Sequence, residues 1–169
     1  MPATPDDLLA YLEKLGIAVQ TVEHPPLFTV EDSKALRGRI EGGHTKNLFL
    51  KDRKGNLFLI VAEEDTTIDL KKIHEIIGAQ GKVSFGSADL LTEVWGVLPG
   101  AVTPFGAIND SEQRVSVVID AALMDYEVLN HHPLVNTMTT SIRREDLVNF
   151  LKATGHEPRI LAVGAAHGG

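Results

Sequence analysis

Cysteine is absent from the 169 residues, which excludes disulfides, thiolate nucleophiles and cysteine-based metal sites. No apolar run approaches the roughly 20 residues of a membrane-spanning helix. A basic excess is missing too. Against 16 Lys and Arg stand 23 Asp and Glu, a net charge of −7, which counts against a protein built mainly to grip a nucleic-acid backbone. Any such contact must be local, and the candidate patches are Lys51/Arg53/Lys54, Lys71/Lys72 and Arg143/Arg144, each of which also reads as an ordinary solvated surface. Met1 to Asp7 lacks the basic start and apolar centre of a signal peptide. There is no G-x-S-x-G elbow, no phosphate-binding Walker loop, no dinucleotide fingerprint, no internal repeat and no linker.

What remains is a chain of 43% hydrophobic and 23% charged residues, a composition that buries a core and does not stay disordered. Its length suits one domain spanning 1–169, with 164–169 as a frayed tail. The expectation is a cytoplasmic enzyme or binding domain with no membrane association.

Thr4 or Asp6 can cap a first helix running to about Leu15, with Leu8, Leu9, Leu12 and Leu15 on one face and Gly16 as its stop. Ile17 to Val22 reads as a short strand, and Thr29 caps a second helix through Leu36. Asn47–Leu50 and Leu57–Val61 form a hairpin around Lys51–Asn56. Asp69 to Ile77 reads as a helix with Leu70, Ile73, Ile76 and Ile77 inward, and Ser87 to Val94 as another. Val115–Ile119 is a buried strand, Ser141 begins a last helix closed by Gly155, and Ile160–Val163 is a final strand. Strands and helices interleave without a βαβ rhythm. The spacing therefore predicts an α+β fold, a mixed, mainly antiparallel sheet with flanking helices.

The chemistry concentrates in three places. Trp95 to Gly106 packs three glycines and two prolines into twelve residues, which predicts a rigid, shaped loop. Such a loop can present backbone N–H groups to a carbonyl or oxyanion, or it can simply turn the chain twice between strands. Lys46 stands where the glycine-rich Gly42-Gly43 stretch meets an apolar strand, either pointing a charge into a cleft or solubilising a strand end. His131-His132-Pro133 leads into a segment rich in hydroxyls and amides, Leu134 to Thr140, suited to a polar pocket or to a hydrogen-bonded turn. Adjacent strand residues face opposite ways, so the two histidines are not expected to share a metal. No metal and no cofactor is expected. Glu63-Glu64-Asp65 is an acidic run that can supply a base or, more simply, reads as solvated charge.

Thr45-Lys46-Asn47, Gly96-x-x-Pro99-Gly100 with Val102 to Gly106, and His132-Pro133-Leu134-x-Asn136-Thr137 together resemble the YbaK/ProX family. Its members are freestanding relatives of the editing domain of bacterial prolyl-tRNA synthetases. Phe28-Thr29-Val30, Asp69-Leu70-Lys71 and Ile108-Asn109-Asp110 resemble its alanyl-tRNA(Pro) deacylase branch. The resemblance implies the editing-domain fold and hydrolysis of the ester in mischarged Ala-tRNA(Pro), sparing Pro-tRNA(Pro). The partners it implies are the acceptor end of tRNA(Pro) and a prolyl-tRNA synthetase.

Carried over by residue, Lys46 contacts the terminal nucleotide or its phosphate, and Gly96, Pro99 and Gly100 cradle the aminoacyl end. Asn47, Thr29, His132, Asn136 and Thr137 bind substrate, with His131, an extra histidine in the motif, as second choice to His132. The reaction this suits is attack by water positioned by the free ribose hydroxyl of the substrate. Alternatives are a Cys-tRNA(Pro) or Ser-tRNA deacylase, and a non-catalytic module that binds aminoacyl-tRNA or a synthetase.

Overall fold

The computed structural model describes residues 2–25, 40 and 42–164. The segment assigned above to the second helix, Thr29 included, lies outside the described residues. So do 165–169, which make up most of the expected tail.

Helix α1 (Pro5–Lys14) starts where its cap residues require. The Thr4 hydroxyl accepts from the Asp7 N–H, the Asp7 carboxylate accepts from the Thr4 N–H, and Pro5 occupies the first turn. β1 (Gln20–Glu23) follows, then β2 (Gly43–Lys51) and β3 (Leu57–Glu63), the expected hairpin, paired from Thr45↔Glu63 to Lys51↔Leu57. A one-turn helix, α2 (Ile73–Ile77), precedes β4 (Ser84–Phe85), and α3 (Ala88–Trp95) is capped by Ser87. Two 3-10 turns follow, Pro99–Ala101 and Pro104–Asn109, and then β5 (Val115–Asp120), β6 (Val128–His131) and β7 (Met138–Arg143). Helix α4 (Arg144–Ala153) and β8 (Arg159–Leu161) complete the order.

The strands form one sheet in the order β1-β7-β6-β2-β3-β5-β8, with β4 also on β2. Its pairings are mixed. Those of β1–β7, β6–β7, β2–β3 and β2–β4 are antiparallel, while β2–β6, β3–β5 and β5–β8 are parallel. The unbroken apolar run of β3 reflects burial on both faces. Leu57, Leu59 and Val61 join α1, α3 and α4 in one core, whereas Phe58, Ile60 and Ala62 meet α2 in the other.

Two expectations fail. Ser141 does not begin a helix: Thr139-Thr140-Ser141-Ile142, β-branched apart from Ser141, is a strand held between β1 and β6, and α4 starts three residues after Ser141. Pairing on both sides outweighs a local capping signal. Likewise the Asp69–Ile77 helix shrinks to Ile73–Ile77, because Asp69 closes a turn on Lys71 and Lys72 instead. A single helical turn buries only an i, i+4 pair. Ile73 and Ile77 are covered, while Leu70 and Ile76 stay 36% and 40% exposed.

The Gly/Pro segment is locked from below. The fully buried Trp95 indole donates to the Thr103 carbonyl at 2.6 Å, and the Asn109 amide donates to the Trp95 carbonyl at 3.1 Å. At the far end, Asp110 accepts from the Arg114 and Val115 N–H groups and lies 2.9 Å from His156 Nε2, tying the segment to the end of α4. A Cβ added at Gly106 would land on the Trp95 ring. Gly106→Ala is therefore expected to destabilise the fold by about 1–3 kcal/mol, the usual cost of overpacking, read as a lower urea midpoint at unchanged m.

Candidate active site

Strand β2 is the axis of the site. One edge pairs with β3 along its length, while the other is divided: Gly43 and His44 pair with β6, and Leu50 and Lys51 with β4. Over 46–48 that edge has no strand partner among the described residues. Asn47 sits in this gap. Its side chain, on the face of Phe49, lines a cavity of about 300 Å³ with Phe85, Leu91, Pro99 and Val102. Its Oδ1 is buried and has no hydrogen-bond partner among the described residues, so a donor from elsewhere would be gained there at little cost.

A second cavity, of about 340 Å³, borders the same turn and is lined by Leu98, Gly100, Ala101, Leu134, Val135 and Asn136. Its walls are aliphatic apart from the Asn136 amide, which makes no hydrogen bond among the described residues. A Cβ on Gly100 would stand 3.4 Å from Asn136 Nδ2, an ordinary contact that an alanine could make without displacing its neighbour. Leu134 is held at φ 72, a conformation costly for a residue with a Cβ, directly in the wall. Its N–H is tied to the His132 carbonyl across Pro133.

The expected supply of backbone donors proves smaller than the glycine count suggests. The Gly96 N–H is spent on the Leu91 and Thr92 carbonyls at 3.1 Å, those of Ala101 and Gly106 on Leu98 and Thr103, and that of Phe105 on the Thr103 hydroxyl. Gly100, in the first turn of its 3-10 helix, keeps an N–H without a partner among the described residues. Gly96 itself ends α3 at φ 71, and a Cβ there would strike the Asn109 amide. It shapes the turn and lines neither cavity.

Strand alternation puts Lys46 on the face opposite Asn47, with Leu48 and Leu50. It is half-buried, lines neither cavity and has no hydrogen bond or ion pair among the described residues. It does stand in the unpaired stretch of the β2 edge. His131 ends β6 and His132 lies just past it, and the two rings take different partners. His131 is buried edge-on against Phe105, ring centroids 5.7 Å apart, and its Nδ1 lies 2.9 Å from the Thr45 hydroxyl. That hydroxyl gives its proton to the Asn130 carbonyl at 2.8 Å, so it accepts from His131 Nδ1–H and leaves Nε2 bare and buried. Burial first, and the neighbouring His132 second, push the His131 value down to about 3. His132, half-buried, donates from Nδ1 to the Met138 carbonyl at 3.0 Å, and its ring is 6.3 Å from that of His24. Thr137 is exposed in the β6–β7 turn, its carbonyl accepting from the His24 N–H.

Sequence reasoning missed three features: Phe85 and Val102 in the first cavity, and Leu134 in the wall of the second. Phe85 carried a signal, an apolar residue flanked by Ser84 and Gly86 outside any amphipathic pattern. Val102 and Leu134 stood inside the motif stretches quoted above, with no role given to either.

The chain matches the model of the aminoacyl-tRNA editing domain over residues 24–150. It is 37% identical over 150 residues to the prolyl-tRNA editing protein ProX of Acetoanaerobium sticklandii, covering 88% of this chain and 91% of that one. It is 35% identical over 163 residues to the mouse prolyl-tRNA synthetase associated domain-containing protein 1, covering 92% and 96%. Among solved structures, a candidate trans-editing enzyme for prolyl tRNA synthetase superposes with a TM-score of 0.69 at 19% identity, covering 95% of this chain and 98% of that one, a likeness of fold.

A histidine whose folded value lies below its unfolded value binds fewer protons when folded, so acid favours the unfolded chain. His131, and His132 in the same direction, should therefore make stability fall as pH drops below about 6.5, by up to about 1.4 kcal/mol per pH unit for each fully neutral ring. Urea midpoints between pH 7 and 5, above the carboxylate range, should show this slope, and His131→Asn should flatten it. A flat wild-type profile would refute it.

Proposed function

This chain belongs to the aminoacyl-tRNA editing domain family, and we propose that it is the trans-editing hydrolase that cleaves the ester of mischarged Ala-tRNA(Pro) and spares Pro-tRNA(Pro). One observation carries the reading: a single turn, Pro99–Gly100, borders two mainly apolar cavities, each holding one side-chain amide without a hydrogen bond among the described residues. An ester lying across that turn would place its acyl group on one side and its nucleoside on the other.

The Gly100 side suits the amino acid. Ala101, Leu134 and Val135 offer aliphatic contact to a methyl group, and the Gly100 N–H is the donor for the oxyanion that forms when water attacks. Such an ester is already activated, so no protein nucleophile is needed. The free ribose hydroxyl of the substrate positions the water, while the walls exclude competing solvent. A pocket that admits the smaller amino acid and clashes with the larger one completes a double sieve, since synthesis alone discriminates poorly between small apolar side chains. Asn47 faces the nucleoside. Lys46, at the open edge of β2, meets the adjoining phosphate as a point charge. Gly96, His131, His132 and Thr137 act through the turns they fix, and Thr29 is assigned to substrate by the motif alone. The acceptor end of tRNA(Pro) is the partner, met in the cytoplasm, with prolyl-tRNA synthetase as the source of the error.

Purified protein should release alanine from Ala-tRNA(Pro) and leave Pro-tRNA(Pro) intact. Preference for a cysteinyl or seryl ester in the same panel would replace alanine as substrate, and binding without cleavage of any ester would make the chain a binding module.

Substitutions separate the roles. Lys46→Ala should abolish turnover with the unfolding transition unchanged. Gly100→Pro, which removes the N–H, should lower kcat by about 10²–10³, the usual effect of losing one oxyanion donor, while Gly100→Ala keeps the donor and most of the rate. Equal rates in the two Gly100 variants would exclude the assigned contact.

A further inference from the structure

A buried ionisable pair lies outside both cavities, and the cleavage makes no direct use of it. His156 follows the end of α4, and its Nε2 stands 2.9 Å from Asp110 Oδ2, with the two side chains 0% and 2% exposed. The ring N–H donates to a carboxylate that already accepts the Arg114 and Val115 N–H groups. At the other ring nitrogen, Nδ1 lies 2.9 Å from the Thr154 hydroxyl. Among the described residues no other side chain reaches the Asp110 carboxylate. Glu93, Glu112, Arg114, Lys152 and Glu157, on the adjoining elements, are all exposed.

This one imidazole touches both ends of the Gly/Pro segment. The segment leaves α3 at Trp95 and ends at Asp110, and the Asn109 amide closes its neck by donating to the Trp95 carbonyl. His156 bonds Asp110 at one end and stands perpendicular to the Trp95 ring at the other, centroids 5.7 Å apart. The Trp95 indole in turn reaches into the loop and donates to the Thr103 carbonyl. The Pro99–Gly100 turn lies between these fixed points. The two elements also interlock. A Cβ on Gly155 would strike the Gln113 side chain, and Gln113 is held at φ 53 with its N–H on the Asp110 carbonyl. Packed this closely, the end of α4 cannot shift without moving the neck.

We infer that His156 is a positioning residue for ester cleavage: its N–H to Asp110, with its ring against Trp95, closes the neck of the Gly/Pro loop and so fixes where the Gly100 N–H stands. The effect on rate rests on the deacylase reading, whereas the neck can be tested without it.

Trp95 is the only tryptophan of the chain, so a single indole N–H resonance reports on the neck. The full-length protein is used, below its unfolding transition. The amide of His156→Asn stands near the place of Nδ1 and falls short of Asp110. This variant should speed hydrogen exchange of the indole proton by about 10-fold or more, as loss of a hydrogen bond to a charged group does. On Ala-tRNA(Pro) it should lower kcat by up to about 10²-fold, the cost of a misplacement of about 1 Å, at unchanged KM. His156→Gln, whose amide reaches the place of Nε2, should restore slow exchange and most of the rate. A residue that only supported the fold would show neither the loss confined to kcat nor the rescue.

Wild-type kcat in folded His156→Asn, an equal loss in the Asn and Gln variants, a loss confined to KM, or lost rate with unaltered indole exchange would each overturn the assignment. Should His156→Asn not fold, Thr154→Val releases the ring at Nδ1 and should likewise speed exchange and lower kcat; wild-type values of both would overturn it. Absence of ester cleavage by wild type would overturn the deacylase reading alone, and the exchange contrast between the Asn and Gln variants would still decide the neck.

Discussion

The hydrogen-bond ladder of β2 is the constraint on which the rest depends. Its β3 edge is complete and carries the hairpin into the middle of the sheet, buried on both faces. Its other edge is shared by a parallel partner at one end and a two-residue antiparallel partner at the other. Because β6 and β4 leave β2 at different points, a short stretch of strand has no strand partner among the described residues. Irregular backbone in such a place is normally avoided, since unpaired peptide groups are costly away from water. Here the opening puts the Asn47 side chain into a cavity, Lys46 on the opposite face of the same stretch, and β4 with its exposed phenylalanine at the rim.

A second element closes the opening from above. The Gly/Pro segment spends the Gly96, Ala101, Phe105 and Gly106 N–H groups on itself and on α3, and the Trp95, Asn109 and Asp110 contacts hold it against the end of α4. Rigidity of this kind is what a donor aimed at a transient charge requires, because a donor that must reorganise loses much of its effect. The strained Leu134 belongs to the same arrangement. It is held by its short bond to the His132 carbonyl, and the cost is met by the packing of a buried side chain.

Much of the fold was legible because its signals were local. Thr4 and Ser87 cap the helices they should, the apolar runs of β2 and β3 on either side of a polar turn set a hairpin, and Val115–Asp120 is buried as its composition requires. The departures arose where pairing outweighed local preference. Thr139 to Ile142 became a central strand, and only one turn of the Asp69–Ile77 segment found a surface to cover. At the site, the motifs drew attention to Pro99, Gly100, Asn47 and Asn136, all of which line cavities. They could not separate Gly96, which ends a helix, from Gly100, which borders a cavity, because a glycine looks the same in either task.

The sequence by itself determined the class of fold, the secondary elements with strong caps or clear alternation, the absence of thiol chemistry and the family to which the chain belongs. Tertiary structure alone decided which faces those residues occupy. It put Lys46 and Asn47 on opposite sides of one strand, buried His131 while leaving His132 partly open, and brought Phe85 beside residues more than thirty positions away. The reason is physical. Caps and alternation are written within a few residues, whereas a cavity is made by the register and divergence of strands distant in sequence, which no short stretch encodes.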